Sequence, residues 1–564
     1  MLEADEILEL FRGCLPYYLF IMLPVLIIIS PVNPVDAAHE FPVYRMQHFD
    51  LHGVPRGSRH APVNLEARSL TGWSTARQCI VARLEDITSD QFREIRAKAG
   101  ALLLVLPRQI SSLSDEAKQH ILELERAMLE QEVPIPVYFI EWTKAIQTVL
   151  ENLARSYSSD ERSISAAEAM LNAVSASGYQ VVIASGQASV KGDINIATVQ
   201  GKLSGYGVEE KLPTIAIVAH YDSFGVAPEL SFGADSNGSG VVMLLELARL
   251  FSGLYSSPKT HARYNLVFLL SGAGKFNYHG SKKWLEDQLD GVDYSVSFIL
   301  HFVSLLQEAS YVLCLDSVAS NSNLYLHVSK PPREGSQGYL FFKELKSVSQ
   351  MLYPDMSVEG IHKKINLADE LLAWEHERYS IRRLPAFTLS SLRSHKEARR
   401  HTILDTRDST DVTHLVQNIQ VVAEALARHI YNLSSGEVFS ENLGVQVESI
   451  SSWLDFLSSQ PRSAQLLADK QNTLVSTLKD TMSRYLKEVK VSYMTPDKRE
   501  PEFVFYDITK SQVSIYSVKP AVFDLFLTIA ISIYLTVIYF VIQNFPQFYT
   551  VVLSIVGATR QKVH

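Results

Sequence analysis

Between residues 163 and 435, short apolar runs alternate with longer amphipathic stretches, and this alternation constrains the fold most strongly. The runs "PTIAIVAHYD", "YNLVFLLSG", "YVLCLDSVA" and "PAFTLSS" have the length and composition of buried strands. The stretches "GSGVVMLLELARLFSGL" and "VTHLVQNIQVVAEALARHIYNL" have the spacing of helices. This order predicts an α/β fold, with helices on both faces of a mostly parallel sheet and ligands at the carboxyl ends of its strands.

Two smaller regions flank this predicted unit. In residues 39–162, the strand-like "ALLLVLP" and "IPVYFIEW" flank the helix-like "SDEAKQHILELERAMLEQE", which predicts a small N-terminal α/β domain. Residues 436–518 begin with a helical pair interrupted at Pro461 and continue into the extended pattern "PEFVFYDITKSQVSIYSV". We expect this second region to be helical and extended and to lie next to a membrane.

Both ends of the chain carry long apolar segments. Residues 1–38 contain "CLPYYLFIMLPVLIIISPV", followed by Val35 and Ala37 at the spacing of a signal-peptidase site. The acidic start of this segment departs from an ordinary signal, so a cleaved signal peptide and an uncleaved signal anchor both stay open. Residues 521–542 are long enough as a helix to cross a hydrocarbon core of about 30 Å.

The charges around the second apolar segment predict its orientation. Arg560 and Lys562 follow it, which places the tail, residues 543–564, in the cytosol under the positive-inside rule. The expected protein is therefore single-pass and type I, with most of the chain in a lumen. The tail ends in "RQKVH", which resembles a retrieval signal of the endoplasmic reticulum, so we expect that compartment. Two sequons, at Asn432 and Asn237, are candidate glycosylation sites; the first is expected to face solvent, whereas the second lies in an enclosed Gly-rich turn.

Composition excludes two classes of protein. A net charge of −9 over 564 residues provides no general attraction to nucleic acid, so we expect no direct nucleic-acid binding. The three cysteines, Cys14, Cys79 and Cys314, are too few for a disulfide framework.

Polar side chains that suit a metal centre follow several of the predicted strands. His220 and Asp222 come directly after one strand, with the aspartate placed to orient the histidine. Asp235 lies in a Gly-rich turn that opens a helix, Asp316 ends another strand, and His401 precedes the last helix. One histidine, two carboxylates and a second histidine suit a pair of divalent ions such as zinc.

These motifs resemble, in order and spacing, the co-catalytic dizinc aminopeptidase family, which also includes glutamate carboxypeptidase and the transferrin receptor. The resemblance implies that the five residues above occupy the metal-site positions. Two departures follow from it: Ser236 replaces an aspartate, and Gly274 and Lys275 replace an adjacent Glu-Glu pair. In the family, the first glutamate is the general base and the second ligates a metal.

The second departure predicts a fold that is kept and a catalyst that is lost. Gly274 cannot abstract a proton, and general-base catalysis is worth about 10²–10⁴-fold. Lys275 would repel a divalent ion and could instead pair with Asp235 or Asp316. We therefore expect a degenerate metal site with no catalytic residue, no metal and no cofactor.

Longer stretches narrow the resemblance and extend it over essentially the whole chain. "DAAHEFPVYRMQHFDL", "AHYDSFGVAPELSFGADSNGSG", "LAWEHERYSIRRLPAFTLS" and "DKREPEFVFYD" resemble the nicalins, which are related to nicastrin. This implies a protein of the endoplasmic-reticulum membrane without peptidase activity. It also implies association with the Nodal modulator protein, a small multi-spanning membrane protein and the lipid bilayer. Through them the chain would meet the ribosome-bound Sec translocon during biogenesis of multi-pass membrane proteins.

Two other functions remain open on the residues alone. A membrane-anchored metallopeptidase would need another carboxylate, such as Glu375 or Glu377, to serve as the base. A receptor could instead use the degenerate cleft to bind peptides, in which case binding would depend on Lys275.

Overall fold

The computed structural model describes residues 39–73, 75–160, 178–208, 212–290, 309–440, 443–497, 499–518, 521–547 and 549–550. The predicted signal segment, residues 1–38, lies outside the described residues, as does most of the predicted cytosolic tail. The described chain begins with alternating strands and helices that build a small domain. Its strands are β1 (His39–Arg45), β2 (His48–Leu51), β3 (Val54–Ser58), β4 (Val63–Arg68), β5 (Gln78–Arg83), β6 (Ala101–Val105), β7 (Glu132–Val133) and β8 (Val137–Ile140). Its helices are α1 (Ser89–Lys98), α2 (Asp115–Leu129) and α3 (Lys144–Asp160).

The middle of the chain supplies most of the larger domain. This part of the chain begins with β9 (Gly178–Ile183), which joins the small domain. The strands of the larger domain that follow are β10 (Ile196–Leu203), β11 (Thr214–His220), β12 (Asn265–Ser271), β13 (Ala309–Leu315), β14 (Leu324–Val328), β15 (Val358–His362) and β16 (Ala386–Ser390). Its helices are α4 (Gly240–Ser256), α5 (His279–Asp290), α6 (Gln337–Leu352), α7 (His376–Ile381) and α8 (Val412–Tyr431). The C-terminal elements are α9 (Val447–Ser458), α10 (Thr473–Tyr485), β17 (Lys487–Met494), β18 (Phe503–Phe505), β19 (Lys510–Val518) and α11 (Ala521–Gln543).

An eight-stranded sheet forms the centre of the larger domain, in the order β15-β14-β16-β13-β11-β12-β10-β17. Its middle strands β12, β11, β13 and β16 run parallel, as the alternating pattern predicts. Every residue of β11 is buried, because parallel strands carry helices on both faces. Helices α4 and α8 contribute many of the apolar side chains that pack with these strands. The α/β fold class is confirmed.

Strands β2, β3 and β7 pair with β18 in a four-stranded sheet, in the order β18-β2-β3-β7. The rest of the small domain is built on a closed barrel, in the strand order β1-β19-β9-β4-β5-β6-β8. Two of its strands come from segments that the sequence assigned elsewhere: β9 to the larger domain and β19 to a separate membrane-proximal region. The predicted boundary at residue 163 is wrong for this reason. Residues 436–518 likewise form no separate unit, because β17 extends the large sheet and β18 pairs with β2. An alternating pattern identifies a strand, but the unpaired edge that receives it is set by distant parts of the chain.

Two helices bear on membrane insertion. Among the residues that the structure describes, the segment Ala234–Ser256 is long and apolar enough to cross a membrane, but most of it is buried, so it is a core helix. Helix α11 lies where the sequence predicts a span, and side chains along it, such as Ile533 and Val537, are more than half exposed. Exposed apolar side chains along a helix suit a lipid environment.

Candidate functional site

The candidate site lies at the carboxyl edge of the large sheet, where three parallel strands end together. In the strand register, His220 at the end of β11 lies opposite Ser271 at the end of β12. On the other side of β11, Ala219 lies opposite Leu315, and Asp316 follows directly. The alternating pattern thus brings His220 and Asp316 to the same edge.

His220 is fully buried and held by side chains from two other segments. Its Nδ1 lies 3.3 Å from Oε2 of Glu375, and its carbonyl accepts a hydrogen bond of 3.0 Å from the Asn237 side chain. The other oxygen of Glu375 accepts hydrogen bonds from the Ser271 and Ser281 hydroxyls, at 2.8 and 2.6 Å. Sequence reasoning assigned the orientation of His220 to Asp222, whereas the structure places Glu375 at its ring.

Asp222 instead holds the turn that follows β12. Its two carboxylate oxygens accept hydrogen bonds from the main-chain N–H groups of Gly274, at 2.6 Å, and Lys275, at 3.0 Å. Burial raises the pKa of Asp222, and the neighbouring His220 and these two N–H groups act in the opposite direction. The aspartate therefore fixes the two positions at which the chain departs from the dizinc pattern.

Gly274 lies directly against the ring of His220. A Cβ atom at this position would come within 2.3 Å of both Cβ and Cγ of His220, closer than real contacts allow. The close approach of the turn to β11 therefore requires a residue without a side chain. It also leaves no room for a glutamate at position 274 unless His220 or the turn moves.

The Lys275 side chain enters the site but does not form the expected ion pair. Its ammonium donates to the Ser236 hydroxyl at 2.6 Å and to the carbonyl of Arg400 at 3.2 Å. Burial lowers the pKa of Lys275 to about 8, and the negative charge of Asp316 acts against this decrease. The expectation that Lys275 pairs directly with Asp235 or Asp316 is therefore corrected, since its hydrogen bonds go to neutral oxygens.

Arg400, which sequence reasoning missed, is the cation that pairs with Asp316. Its Nη2 donates to the carboxylate at 2.5 Å and to the Tyr278 hydroxyl at 3.0 Å, and its guanidinium lies 4.3 Å from the centre of the Trp374 ring. Burial alone would raise the pKa of Asp316, but Arg400 and Lys275 together hold it well below its usual range. In "EARRHT", this arginine has no local signal that separates it from a surface residue.

Asp235 faces a second, more polar environment. It accepts hydrogen bonds from the Ser239 hydroxyl at 2.7 Å, the Ala319 main-chain N–H at 2.8 Å and the Ser320 hydroxyl. Asp405 accepts a hydrogen bond from the main-chain N–H of Asp235 at 2.9 Å. Both aspartates border one cavity of about 600 Å³. Burial, followed by the charge of Asp235, raises the pKa of Asp405 to about 7. This second carboxyl group was also missed.

His401 lines a different cavity, a cleft of about 460 Å³ that also includes Lys275. Its ring packs edge-on against Phe224, with 5.6 Å between ring centres. Burial, together with the charges of Lys275 and Arg400, lowers the pKa of His401 well below its usual value. The predicted site residues are thus divided between two cavities, with Asp235 bordering one and His401 the other.

The side chains at these positions do not provide the ligands that a pair of divalent ions requires. Asp316 is bound by a guanidinium, Asp222 by two main-chain N–H groups, and position 274 offers no ligand atom. Within the described part of the chain, no group of three or more His, Cys, Asp or Glu side chains is arranged to hold a metal ion. Two buried cations, Lys275 and Arg400, occupy the region where the family pattern places metal ligands.

The two sequons differ in accessibility. Asn432 is exposed at the end of α8, where its backbone adopts the left-handed conformation common at helix termini. Asn237 is fully buried, and its side-chain nitrogen donates to the carbonyls of His220 and Leu315. The folded chain has no space for a glycan at Asn237, so that candidate is withdrawn because of its burial.

Comparison with known proteins identifies the class and the family. Residues 198–426 match the model of Peptidase family M28, which agrees with an aminopeptidase-type sheet whose metal positions are altered. The chain is 47% identical over 561 residues to "BOS complex subunit NCLN" of Homo sapiens, with 98% of each chain covered. It is 28% identical over 558 residues to "Nicalin" of Caenorhabditis elegans, covering 95% of this chain and 96% of that one. The chain therefore belongs to the nicalin family.

A solved structure supports the same fold. The crystal structure of the gamma-secretase component Nicastrin superposes with a TM-score of 0.59 at 11% sequence identity. The superposition covers 84% of this chain and 99% of that chain. At this low identity the likeness shows a shared fold, and the resemblance to the nicalins stated from the sequence is confirmed by the relatives above.

Proposed function

We propose that this chain is a non-catalytic scaffold subunit of a membrane-protein complex. Its relatives are named as subunits of the BOS complex, and we propose the same role for this chain. The observation that carries the proposal is the Arg400–Asp316 ion pair beside Gly274 and Lys275. These residues put cations and a glycine where the peptidase pattern needs metal ligands and a base. The 47% identity to a BOS complex subunit over nearly the full chain supports the assignment to a complex.

The proposed setting is the endoplasmic-reticulum membrane. Helix α11 would cross the bilayer as a single type I span, with the barrel and the large domain in the lumen and a glycan on Asn432. The resemblance to the nicalins supports two partners, the Nodal modulator protein and a small multi-spanning membrane protein. Through them the complex would join the ribosome-bound Sec translocon and assist the biogenesis of multi-pass membrane proteins.

Co-purification tests this proposal directly. The full-length chain, tagged at its C-terminus and expressed in its own cells, is purified in mild detergent and its partners are identified by mass spectrometry. We expect both proposed partners at comparable stoichiometry and no aminopeptidase activity in the purified complex. Recovery of the chain without either partner would contradict the proposal.

The metallopeptidase alternative has one structural observation behind it, the 3.3 Å approach of Glu375 to His220. However, Glu375 is fully buried, with one oxygen bound by two serine hydroxyls and the other facing His220, so its carboxylate is not placed to take a proton from a substrate. Glu377 is further removed from this role, because its carboxylate interacts with Lys363 at 3.6 Å and with the main chain of Ala373. Stoichiometric zinc together with aminopeptidase activity in the purified protein would favour this alternative.

A further inference from the structure

The cleft of about 460 Å³ between the small and large domains has the size of a site for a small ligand. Helix α2 and strand β2 of the small domain form one wall, and the segments after β11 and β12 of the large domain form the other. Most of the lining of both walls is apolar. The apolar lining residues include Phe49, Leu51, Leu122, Leu129, Phe224 and Phe276.

Several charged side chains line this cleft, and among them Lys275 is the buried one. It has three donors, and two of them bind the neutral oxygens of Ser236 and Arg400. Among the described residues no carboxylate forms an ion pair with it, since Asp316 is paired with Arg400 and Asp222 binds main-chain N–H groups. A buried cation without a direct counter-ion is costly, and an anion in the cleft would compensate for it.

Four acidic side chains line the cleft, and each has a partner within the chain. Asp369 accepts a hydrogen bond from the Asn366 side-chain amide at 2.8 Å. Glu370 pairs with Arg56, and Glu130 lies 3.2 Å from the guanidinium of Arg126. Glu397 accepts hydrogen bonds from two main-chain N–H groups, at 2.9 and 3.2 Å. The cleft therefore combines apolar walls, acidic side chains that have partners within the chain, and a buried ammonium that forms no direct ion pair with a described carboxylate.

We propose that this cleft binds an apolar ligand through a terminal carboxylate, with the carboxylate at Lys275 and the apolar body against Phe49, Phe224 and Phe276. An ammonium hydrogen bond to a carboxylate is charge-assisted and roughly twice as strong as a neutral one. The three aromatic rings pack edge to face with one another and line the cleft. Both an apolar peptide C-terminus and a short fatty acid have this chemistry.

Calorimetric titration of the full-length protein in a non-ionic detergent tests the proposal with small water-soluble probes. N-acetyl-Leu-Phe is compared with its C-terminal amide, and octanoate is compared with octanol, so that each pair differs only in the carboxylate. We expect at least one acid to bind ten or more times tighter than its neutral partner. Preference for the peptide acid identifies a peptide C-terminus as the source of the ligand, and preference for octanoate identifies a fatty acid.

Two variants locate the site, and because the probes partition into the detergent micelles equally with each variant, a difference between variants reports binding to the protein. Lys275→Met removes the charge and keeps the length of the side chain, and it should abolish the preference for the acid. Lys396→Met, which removes another cation from the lining of the same cleft, should retain the preference. The comparison of acid with neutral probe on the unaltered protein requires no variant to fold. Equal binding of acid and neutral probes, or an unchanged preference in Lys275→Met, would overturn the proposal.

Discussion

The guanidinium of Arg400 lies 2.5 Å from a carboxylate oxygen of Asp316, and both side chains are buried at the carboxyl edge of the large sheet. In the family pattern the position of Asp316 belongs to a metal ligand. Here an internal cation compensates its charge, supported by the Tyr278 hydroxyl and the Trp374 ring. The site is thus a closed structural ion pair, whose loss should affect stability.

Removal of Arg400 should destabilise the protein strongly. Arg400→Met leaves Asp316 buried and unpaired, which typically costs about 3–5 kcal/mol. Combining it with Asp316→Asn should recover much of this loss, because the buried charge is then absent. Urea unfolding followed by tryptophan fluorescence measures both variants. As a control, Arg407→Met breaks the partly exposed pair with Asp455 and should cost less than about 1 kcal/mol. Equal losses for the two arginines would contradict the buried-pair argument.

Any side chain at position 274 should strain the turn that follows β12. The Cβ of Gly274→Ala would lie 2.3 Å from His220, so His220 or the turn must shift at a cost of about 1–3 kcal/mol. Gly192→Ala is the matched control, since an added Cβ there meets nothing within 4 Å. The difference between the two unfolding midpoints is the measurement. If both variants unfold alike, the turn does not pack against His220 as described.

Restoring the acidic pair should not by itself restore a metal site. In Gly274→Glu/Lys275→Glu, the side chain of the first glutamate clashes with His220, and Asp316 is still paired with Arg400. We therefore expect less than stoichiometric zinc in the purified double variant after dialysis, measured by atomic absorption. A full complement of zinc would mean instead that the site is intact and was disarmed only at these two positions.

The buried carboxyl group of Glu125 should make stability depend on pH. Glu125 on α2 accepts hydrogen bonds from the Thr402 hydroxyl and the Ile403 main-chain N–H, and burial raises its pKa from 4.5 to about 7. Because the folded pKa exceeds the unfolded value, the folded state binds the proton more tightly. The contribution of Glu125 to the free energy of unfolding therefore increases as pH falls from 7 toward 4.5, by at most about 3 kcal/mol.

Glu125→Gln isolates this effect, because the amide has similar size and does not titrate. The stability of the variant relative to the unaltered protein should decrease between pH 8 and pH 5, as the carboxyl group of the unaltered protein gains its proton. Thermal unfolding at several pH values, under the same buffer and detergent, gives the comparison. A constant difference over this range would mean that Glu125 has an ordinary pKa in the folded protein.

Two cysteines should be unreactive in the native state. Cys79 and Cys314 are free and fully buried, and burial raises the pKa of Cys79 to about 12 and that of Cys314 well above its usual value. Since the thiolate is the nucleophile, neither should react with iodoacetamide at pH 8 until the chain unfolds. Peptide mapping by mass spectrometry, with and without denaturant, distinguishes the two sites. Native alkylation at either position would indicate local opening of its strand.

The order of strands and helices, and therefore the edge at which chemistry-bearing residues gather, could be predicted from the sequence. Parallel strands in an alternating chain must end at one edge, so His220 and Asp316 had to come near each other. The departure at Gly274 and Lys275 was also visible locally, because it replaces two acidic residues within a recognisable motif. The loss of the acidic pair could thus be predicted, whereas the entry of Arg400 into the site could not.

The tertiary structure alone decided the partners of these residues. Glu375 reaches His220 across 155 positions of sequence, and Arg400 reaches Asp316 across 84, so neither contact leaves a local pattern. The barrel is a similar case, because β9 and β19 read as ordinary strands and only the open edges of the small domain determine where they pair. Local periodicity determines which elements form and which face they bury, but pairing between distant segments depends on the geometry of the assembled chain. The sequence by itself therefore determined the scaffold and the missing base, and the three-dimensional packing decided that a buried arginine would take the place of a metal.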